Sequence, residues 1–315
     1  MSLSSGDPPY ETVPGEASSP WLVLCDHAGN ALPAHYGSLG LPAAEFTRHI
    51  AYDIGAREVT LALAECLRGT AILTRFSRLL IDPNRGVDDP TLIMKLSDGA
   101  AVPGNARIDE AERAHRIETY YAPYHAAIAA AIDAMLARGV VPVIVSVHSF
   151  TPAWKGKERP WHVGILWDRD ERLVKPVLAG LRAMPGIAVG DNEPYSGSLA
   201  GDTLNTHATA RGLPHLLQRR RGVVALGVEK LDLAARFLGQ VAPERAPRFE
   251  QPFLHAVVEN IEAVPRRDQL ERQRQQLPAL VLLQGRDAAA FDGAQNGGKS
   301  RQLIGADEAE LLEEF

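Results

Sequence analysis

Cysteine is almost absent from this chain of 315 residues. Cys25 and Cys66 are the only two, and two thiols are too few for a disulfide framework or for a zinc site built from thiolates. No apolar run approaches the roughly 20 residues of a membrane-spanning helix. Residues 1–9 contain neither the basic nor the apolar stretch of a secretory signal. We therefore expect a cytoplasmic protein with reduced thiols and no membrane partner.

An excess of positive charge is also missing. Lys and Arg number 33 against 39 Asp and Glu, so the formal net charge is -6. A negative balance argues against nucleic acid or an anionic membrane as the main partner. The length suffices for one large α/β domain or two smaller ones. A small molecule is then the expected ligand.

Two apolar runs each lead directly into a histidine. Residues 22–25 are followed by Asp26 and His27, and residues 141–147 are followed by His148. Short β-branched runs predict buried strands of an α/β sheet, and such sheets bind ligands at the carboxyl ends of their strands. Two histidines at that edge favour a hydrolytic metal site. Either histidine alone would more often be a structural residue held by backbone groups.

The remaining pattern alternates strands with helices. Residues 1–19 are expected to be a disordered lead-in, residues 20–240 an α/β hydrolase domain, and residues 241–315 an uncertain and partly disordered C-terminal segment. Helices are predicted over residues 42–67, 109–138 and 172–184, and further strands over residues 70–74 and 161–167. This alternation predicts a three-layer α/β/α fold with a mostly parallel sheet.

A hydrolytic zinc site needs a third protein ligand. Asp53 is the best candidate, because the first crossover helix, in which we expect it, begins near the same edge of the sheet. Glu45, His49 and Glu58 are competitors. His49 precedes Asp53 by one helical turn, so both would share a face, and the spacing does not choose between them.

A second group of polar residues lies in the segment 77–85. Arg78 and Arg85 flank an expected strand and a Pro-containing turn that also carries Asp82 and Asn84. Arginine presents a planar fork suited to bidentate binding of a carboxylate. The segment therefore predicts a site for an acidic small molecule, and a surface Arg–Asp network is an equally good interpretation.

Together these stretches resemble the N-formylglutamate amidohydrolase family. The matching segments follow the family's order and are residues 25–30, 51–53, 77–85, 121–125, 146–150, 194–197 and 207–215. The resemblance implies a fold like that of zinc-dependent exopeptidases, also called phosphorylase/hydrolase-like, with one zinc ion per chain. It also implies hydrolysis of N-formyl-L-glutamate to formate and L-glutamate, a late step in one route of histidine breakdown.

The resemblance also assigns roles to individual residues. The implied metal ligands are His27, Asp53 and His148. Arg78, Asn84 and Arg85 are implied to contact the substrate carboxylates or to support the site. Tyr195, Thr203 and His207 fall on matching positions and are expected to line the site. In this family type a general base, usually a glutamate, takes a proton from water.

The expected glutamate is where this chain departs from the family. In the family, a strand with a glutamate and an arginine follows Gly-Leu-Pro-His, which here is residues 212–215. Without a gap, Arg219 stands at the glutamate position. An insertion of about ten residues would instead align residues 223–232, with Glu229 as the base and Lys230 near the arginine. A third interpretation is that the C-terminal third has lost the resemblance.

Three functions remain open at this point. The first is a zinc-dependent amidohydrolase that acts on N-formylglutamate, with Glu229 as its base. The second is a degenerate member of the family that binds an acidic N-acyl amino acid without efficient turnover, which the Arg219 alignment favours. The third is a hydrolase of another amide, such as a cell-wall peptide, against which the missing secretory signal argues.

Overall fold

A seven-stranded sheet forms the centre of the computed structural model, which describes residues 2–3 and 6–221. In chain order the strands are β1 (Tyr10–Val13), β2 (Trp21–Cys25), β3 (Thr70–Thr74), β4 (Val143–Phe150), β5 (Val163–Leu166), β6 (Val189–Asp191) and β7 (His215–Arg221). Their order across the sheet is β6-β5-β7-β4-β2-β3-β1. The four central strands β7, β4, β2 and β3 run parallel, whereas β1 is antiparallel to β3 and β5 is antiparallel to β7. The expected mostly parallel sheet is confirmed.

The helices and minor elements connect these strands. The α-helices are α1 (Ala56–Leu67), α2 (Glu110–Arg116), α3 (Ala122–Ala137), α4 (Glu171–Arg182) and α5 (Thr203–His207), and the π-helical turn Ile117–Tyr121 joins α2 to α3. Single 3-10 turns occupy Ala34–Tyr36, Ala43–Thr47, Pro103–Asn105 and Thr209–Arg211. Short strand pairs join Ser2–Leu3 to Leu32–Pro33, Leu96–Ser97 to Ala100–Ala101, and Ala153–Trp154 to Lys157–Glu158. Among the described helices, none combines the length and apolarity needed to cross a bilayer.

Both faces of the sheet are buried, which explains why its strands read as continuous apolar runs. On β4, Val145 and Val147 pack in one apolar cluster with residues of α1 and α4. Ile144, which points to the opposite face, packs in another cluster with Ile128 and Ile132 of α3. Helices therefore cover the sheet on both sides, and the three-layer α/β/α architecture is confirmed.

Asp53 lies in a turn and not in the helix expected over residues 42–67. The α-helix begins only at Ala56, because Gly55 adopts a left-handed conformation with φ of 78°. The earlier part of the segment holds the isolated 3-10 turn Ala43–Thr47. Asp53 precedes the helix, so the expectation that Asp53 and His49 share one helical face does not apply.

Three further expectations differ from the structure. Residues 1–19 are expected to be disordered from their composition, but Tyr10–Val13 form β1, which pairs with β3 at the edge of the sheet. Residues 78–85 form turns in place of a strand, because Leu79, Leu80 and Ile81 are all buried in a cluster with Phe76 and Tyr120. His148 lies within its strand, which continues to Phe150. The domain boundary expected at residue 240 lies outside the described residues.

One glycine permits the turn that carries His27. A Cβ atom on Gly29 would lie 2.3 Å from the carbonyl oxygen of Arg75, so the two backbones approach too closely for any side chain. We expect Gly29→Ala to lower the free energy of unfolding by about 2–3 kcal/mol, because the backbone must move to relieve the overlap. Urea denaturation measures this change. Gly86→Ala is the control, because its Cβ would meet nothing closer than 3.5 Å, and an equal loss in both variants would contradict the explanation.

Candidate metal centre

The two histidines meet at the carboxyl edge of the parallel strands. His27 follows β2 directly, and His148 lies near the end of the adjacent strand β4. In the register of β2 and β4, Leu24 pairs with Ser146. Two residues further along each chain segment, Asp26 therefore lies beside His148. Asp53 reaches the same place from the turn before α1, where its N–H donates to the carbonyl oxygen of His27 at 2.9 Å. The fold therefore joins three distant parts of the chain.

His27, Asp53 and His148 form a buried group that could hold a metal ion. Each offers one ligand atom, and these atoms lie within 4.8 Å of one another. The Asp53 carboxylate is 2.9 Å from Nδ1 of His148 and 3.5 Å from Nδ1 of His27. Nδ1 of His27 is buried and makes no hydrogen bond with any residue that the structure describes. A buried polar atom without a partner is costly, and two imidazoles with a carboxylate are a ligand set typical of zinc, so these residues fit a metal ion.

The other nitrogen of each histidine contacts a second carboxylate. Nε2 of His27 lies 2.7 Å from Asp82, and Nε2 of His148 lies 3.1 Å from Asp26. Metal-binding histidines usually donate their remaining N–H to such a carboxylate, which fixes the ring orientation and the tautomer. Here the two outer carboxylates leave Nδ1 of both rings directed towards Asp53.

Asp26 accepts hydrogen bonds from four side chains. One oxygen accepts from the hydroxyls of Tyr124 and Thr203 at 2.9 and 2.8 Å. The other accepts from the Ser146 hydroxyl at 3.0 Å and contacts Nε2 of His148. Burial alone would raise the pKa of Asp26, but the hydrogen bond and charge of His148 outweigh it and lower this pKa below the usual range. Asp26 is therefore an anion that orients its neighbours.

Asp82 has a similar role on the other side of the group. Besides His27, its carboxylate accepts from a guanidinium nitrogen of Arg78 at 2.6 Å and from the backbone N–H of Asn84 at 2.9 Å. Burial opposes ionisation, yet the positive charge of Arg78 holds the pKa of Asp82 well below its usual value. Arg78 also lies 3.7 Å from Asp53. The Arg–Asp network of this segment is thus buried at the candidate metal centre and does not lie on the surface.

Asn84 and Arg85 hold the turn that borders this group. The Asn84 side-chain oxygen accepts from the backbone N–H of Thr203 at 3.1 Å. The Arg85 guanidinium donates to Thr91 and to the carbonyl oxygen of Asn84, and its own carbonyl accepts from the Tyr121 hydroxyl. Three of the sequence-predicted residues, Asn84, Arg85 and Thr203, are thereby joined in one network.

A pair of histidines supports the same turn. His125 and His207 stack with ring centroids 5.1 Å apart, and Nδ1 of His125 lies 2.8 Å from Nε2 of His207. Nε2 of His125 lies 2.9 Å from the carbonyl oxygen of Pro83, which can only accept, so this nitrogen carries the proton. Nδ1 of neutral His125 must then accept a hydrogen bond from Nε2–H of His207. The contacts thus define both tautomers of this pair.

Tyr195 and two arginines lie at the outer side of the site. Arg159 donates to the Tyr195 hydroxyl at 2.7 Å, and the Arg219 guanidinium lies 4.5 Å from the centroid of the Tyr195 ring. Arg219 pairs with His148 in the register of β7 and β4. Glu229, Lys230 and the shifted alignment lie outside the described residues.

The structure separates Asp53 from its competitors. His49 is partly exposed and lies 3.5 Å from Asp98, and Glu45 pairs with Arg48. Glu58 lies in the first turn of α1. In the described part of the chain, only Asp53 of these four belongs to the group with His27 and His148.

Sequence reasoning missed several residues that shape the site. Asp26 was noticed only as a neighbour of His27, and Asp82 only as part of an arginine-rich segment. Ser146 and Arg159 gave no signal, because their partners lie far away in the sequence. A carboxylate next to a metal-binding histidine was the one available hint for Asp26.

The mostly parallel sheet carries a buried His–Asp–His group at its carboxyl edge. The protein is therefore an α/β protein with a candidate metal centre. The family model of N-formylglutamate amidohydrolases matches residues 19–218. The chain therefore belongs to the N-formylglutamate amidohydrolase family, which is a family of hydrolases. The matched segment ends one residue before Arg219.

Two solved structures are similar to this chain. A gene product from Agrobacterium tumefaciens is 31% identical, with a TM-score of 0.68, over 81% of this chain and 97% of that one. The N-formylglutamate amidohydrolase from Ralstonia eutropha is 22% identical, with a TM-score of 0.59, over 81% of this chain and 98% of that one. The second likeness supports the fold alone. No curated protein matches the sequence.

The histidine pair predicts a pH dependence of stability. Burial, with the nearby charges of His125 and Arg211, lowers the pKa of His207 to about 4, against roughly 6.5 in an unfolded chain. Between these values the unfolded state binds more protons, so the free energy of unfolding falls as the pH falls. We expect His207→Gln, which can still donate to His125 but does not titrate, to remove about 3 kcal/mol of this fall. Urea denaturation at several pH values measures it.

The control and a competing group complete this experiment. Asp202, whose pKa burial raises to about 6, acts in the opposite direction, since the folded state then binds the extra proton. It is present in both proteins and so cancels in their difference. His35→Gln, at an exposed position, is the matched control. The same pH dependence in wild type and His207→Gln would contradict the role of the pair.

Proposed function

We propose that this protein is a zinc-dependent amidohydrolase that converts N-formyl-L-glutamate and water to formate and L-glutamate. The observation that carries the proposal is the buried group of His27, Asp53 and His148, in which Nδ1 of His27 makes no hydrogen bond with any described residue. Membership of the N-formylglutamate amidohydrolase family gives the reaction class. The proposed place of this reaction is the breakdown of histidine in the cytoplasm.

One zinc ion per chain would be held by His27, Asp53 and His148. When bound, zinc would lower the pKa of water to around 7 and polarise the formyl carbonyl. Asp82 and Asp26 would keep both histidines neutral at Nδ1, because each carboxylate accepts the proton carried by Nε2. Arg78 compensates the charge of Asp82 and Asp53, which reduces the cost of burying two carboxylates.

The remaining residues would bind and orient the substrate, a small acidic N-acyl amino acid. Arg85 and Asn84, on the turn beside the metal group, and Tyr195 at the outer side are the proposed contacts of its carboxylates. Thr203 and His207 would hold this turn through Asn84 and His125. Fixing both carboxylates places the formyl group over the metal position, which lowers the entropic cost of reaction. Neither nucleic acid nor a membrane is a proposed partner.

The general base is proposed to be Glu229. The three carboxylates nearest the proposed metal position are already engaged, because Asp26, Asp53 and Asp82 each contact a histidine. A second function is favoured by Arg219, which occupies the strand position beside His148. On that alternative the protein binds an acidic N-acyl amino acid without efficient turnover.

A formate-release assay with N-formyl-L-glutamate tests the proposed activity. We expect the zinc-loaded protein to release formate, a chelator to stop the reaction, and added zinc to restore it. His148→Ala should lose at least about 100-fold in activity, because it removes a metal ligand. His49→Ala is the matched control, since this histidine pairs with Asp98 outside the group. Full activity in His148→Ala would contradict the proposed zinc-dependent activity.

Glu229→Gln tests the base separately. We expect zinc binding to stay within about twofold of wild type, while formate release falls by a factor of about 100 or more, since general-base catalysis contributes at least that much. Glu244→Gln, in the same part of the chain, is the control. An active wild type with a dead Glu229→Gln variant would exclude the non-catalytic alternative. Unchanged activity in Glu229→Gln would show that Glu229 is not the base.

A further inference from the structure

The position of Arg219 is fixed from both sides of its strand. In β7 it pairs with His148 of β4 on one side and with Gly164 of β5 on the other. A slip by one residue would move the whole strand's side chains to the opposite face. Leu217, two residues earlier and on the same face, is buried in the cluster that contains Leu24 and Ile144. Arg219 is thus held at the edge where His148 lies.

The Arg219 side chain has no anionic partner in the part of the chain that the structure describes. Its Nε is buried and makes no hydrogen bond there, and its Cζ atom lies 4.5 Å from the centroid of the Tyr195 ring. A partly buried guanidinium without a carboxylate is costly. Such a group is typical of a site that a ligand completes.

Tyr195 holds this guanidinium in place. A second arginine, Arg159, donates to the Tyr195 hydroxyl at 2.7 Å and lies 4.9 Å from the same ring centroid. The ring therefore cannot turn away without breaking a short hydrogen bond. An arginine stacked on an aromatic ring keeps its N–H edge available for bidentate contact with a carboxylate.

The charges around the metal position also favour an anionic ligand. Burial lowers the pKa of Arg219, and the charges of Arg78 and Arg85 lower it further, whereas Asp53 opposes them. Four guanidiniums, those of Arg78, Arg85, Arg159 and Arg219, balance the four carboxylates of Asp26, Asp53, Asp82 and Asp202. With neutral histidines, a divalent cation would leave an excess of two positive charges. A small dianion would neutralise that excess.

We propose that Arg219 is a ligand-binding residue whose guanidinium binds one carboxylate of a small dicarboxylate beside His148. The site then discriminates a dicarboxylate from its monoamide through Arg219, in addition to the contacts proposed for Arg85 and Asn84. This inference rests on the proposed function only in placing the ligand at the same site. Its chemistry does not depend on turnover.

Equilibrium binding of glutarate and of its monoamide, glutaramate, tests this inference by isothermal titration calorimetry on the full chain, with and without zinc. We expect wild type to prefer glutarate, and Arg219→Gln to lose about 10- to 100-fold of glutarate affinity, as expected for a charged hydrogen bond. Glutaramate affinity should change by less than about threefold, so the preference collapses. Arg220→Gln is the matched control, because this neighbour points to the opposite face of β7.

The outcomes separate this inference from the proposed activity. Equal glutarate affinity in wild type and Arg219→Gln, or no glutarate binding by wild type, would overturn it. If circular dichroism shows that Arg219→Gln does not fold, Arg219→Lys replaces it. We expect the glutarate affinity of Arg219→Lys to fall about fivefold, because an ammonium keeps the charge but not the planar fork. If Arg219→Gln loses the preference for glutarate over glutaramate but the wild type releases no formate from N-formyl-L-glutamate, only the proposed deformylase activity is contradicted.

Discussion

The site depends on a single buried carboxylate. Asp26 receives hydrogen bonds from Tyr124 on α3, from Ser146 and His148 on β4, and from Thr203 at the start of α5. A buried anion is stable only when its oxygens are satisfied, so these elements must meet around it. His148 is oriented by this contact, and the geometry of the whole His–Asp–His group follows.

Patterning predicted the parts of the fold that repeat along the chain. The buried strands, the helical crossovers and the two histidines at the sheet edge follow from local periodicity. Asp53 was predicted as a neighbour of these histidines, but not its turn, which depends on the left-handed Gly55. Asp26 and Ser146 could not be ranked from the sequence, because 120 residues separate them and no local pattern records such a contact.

The end of β7 serves both the pairing of the sheet and the chemistry of the site. The strand must continue to Arg221 to pair with β4 along its full length, and this pairing places residue 219 beside the metal group. A carboxylate there would serve proton transfer, whereas a guanidinium serves the binding of an anion. The sequence left both alignments open because charge patterns do not determine strand register. In the described strand, the pairing with both β5 and β4 places Arg219 beside His148.

The carboxylate of Asp26 has a further consequence for the order of folding during synthesis. Its donor Thr203 lies 177 residues later in the chain. At ribosomal rates of 5–20 residues per second, roughly 9–35 s pass between the synthesis of these two residues. Throughout that interval the oxygen of Asp26 that accepts from both Tyr124 and Thr203 lacks its second donor. The set of donors around this buried charge is complete only after α5 has left the ribosome.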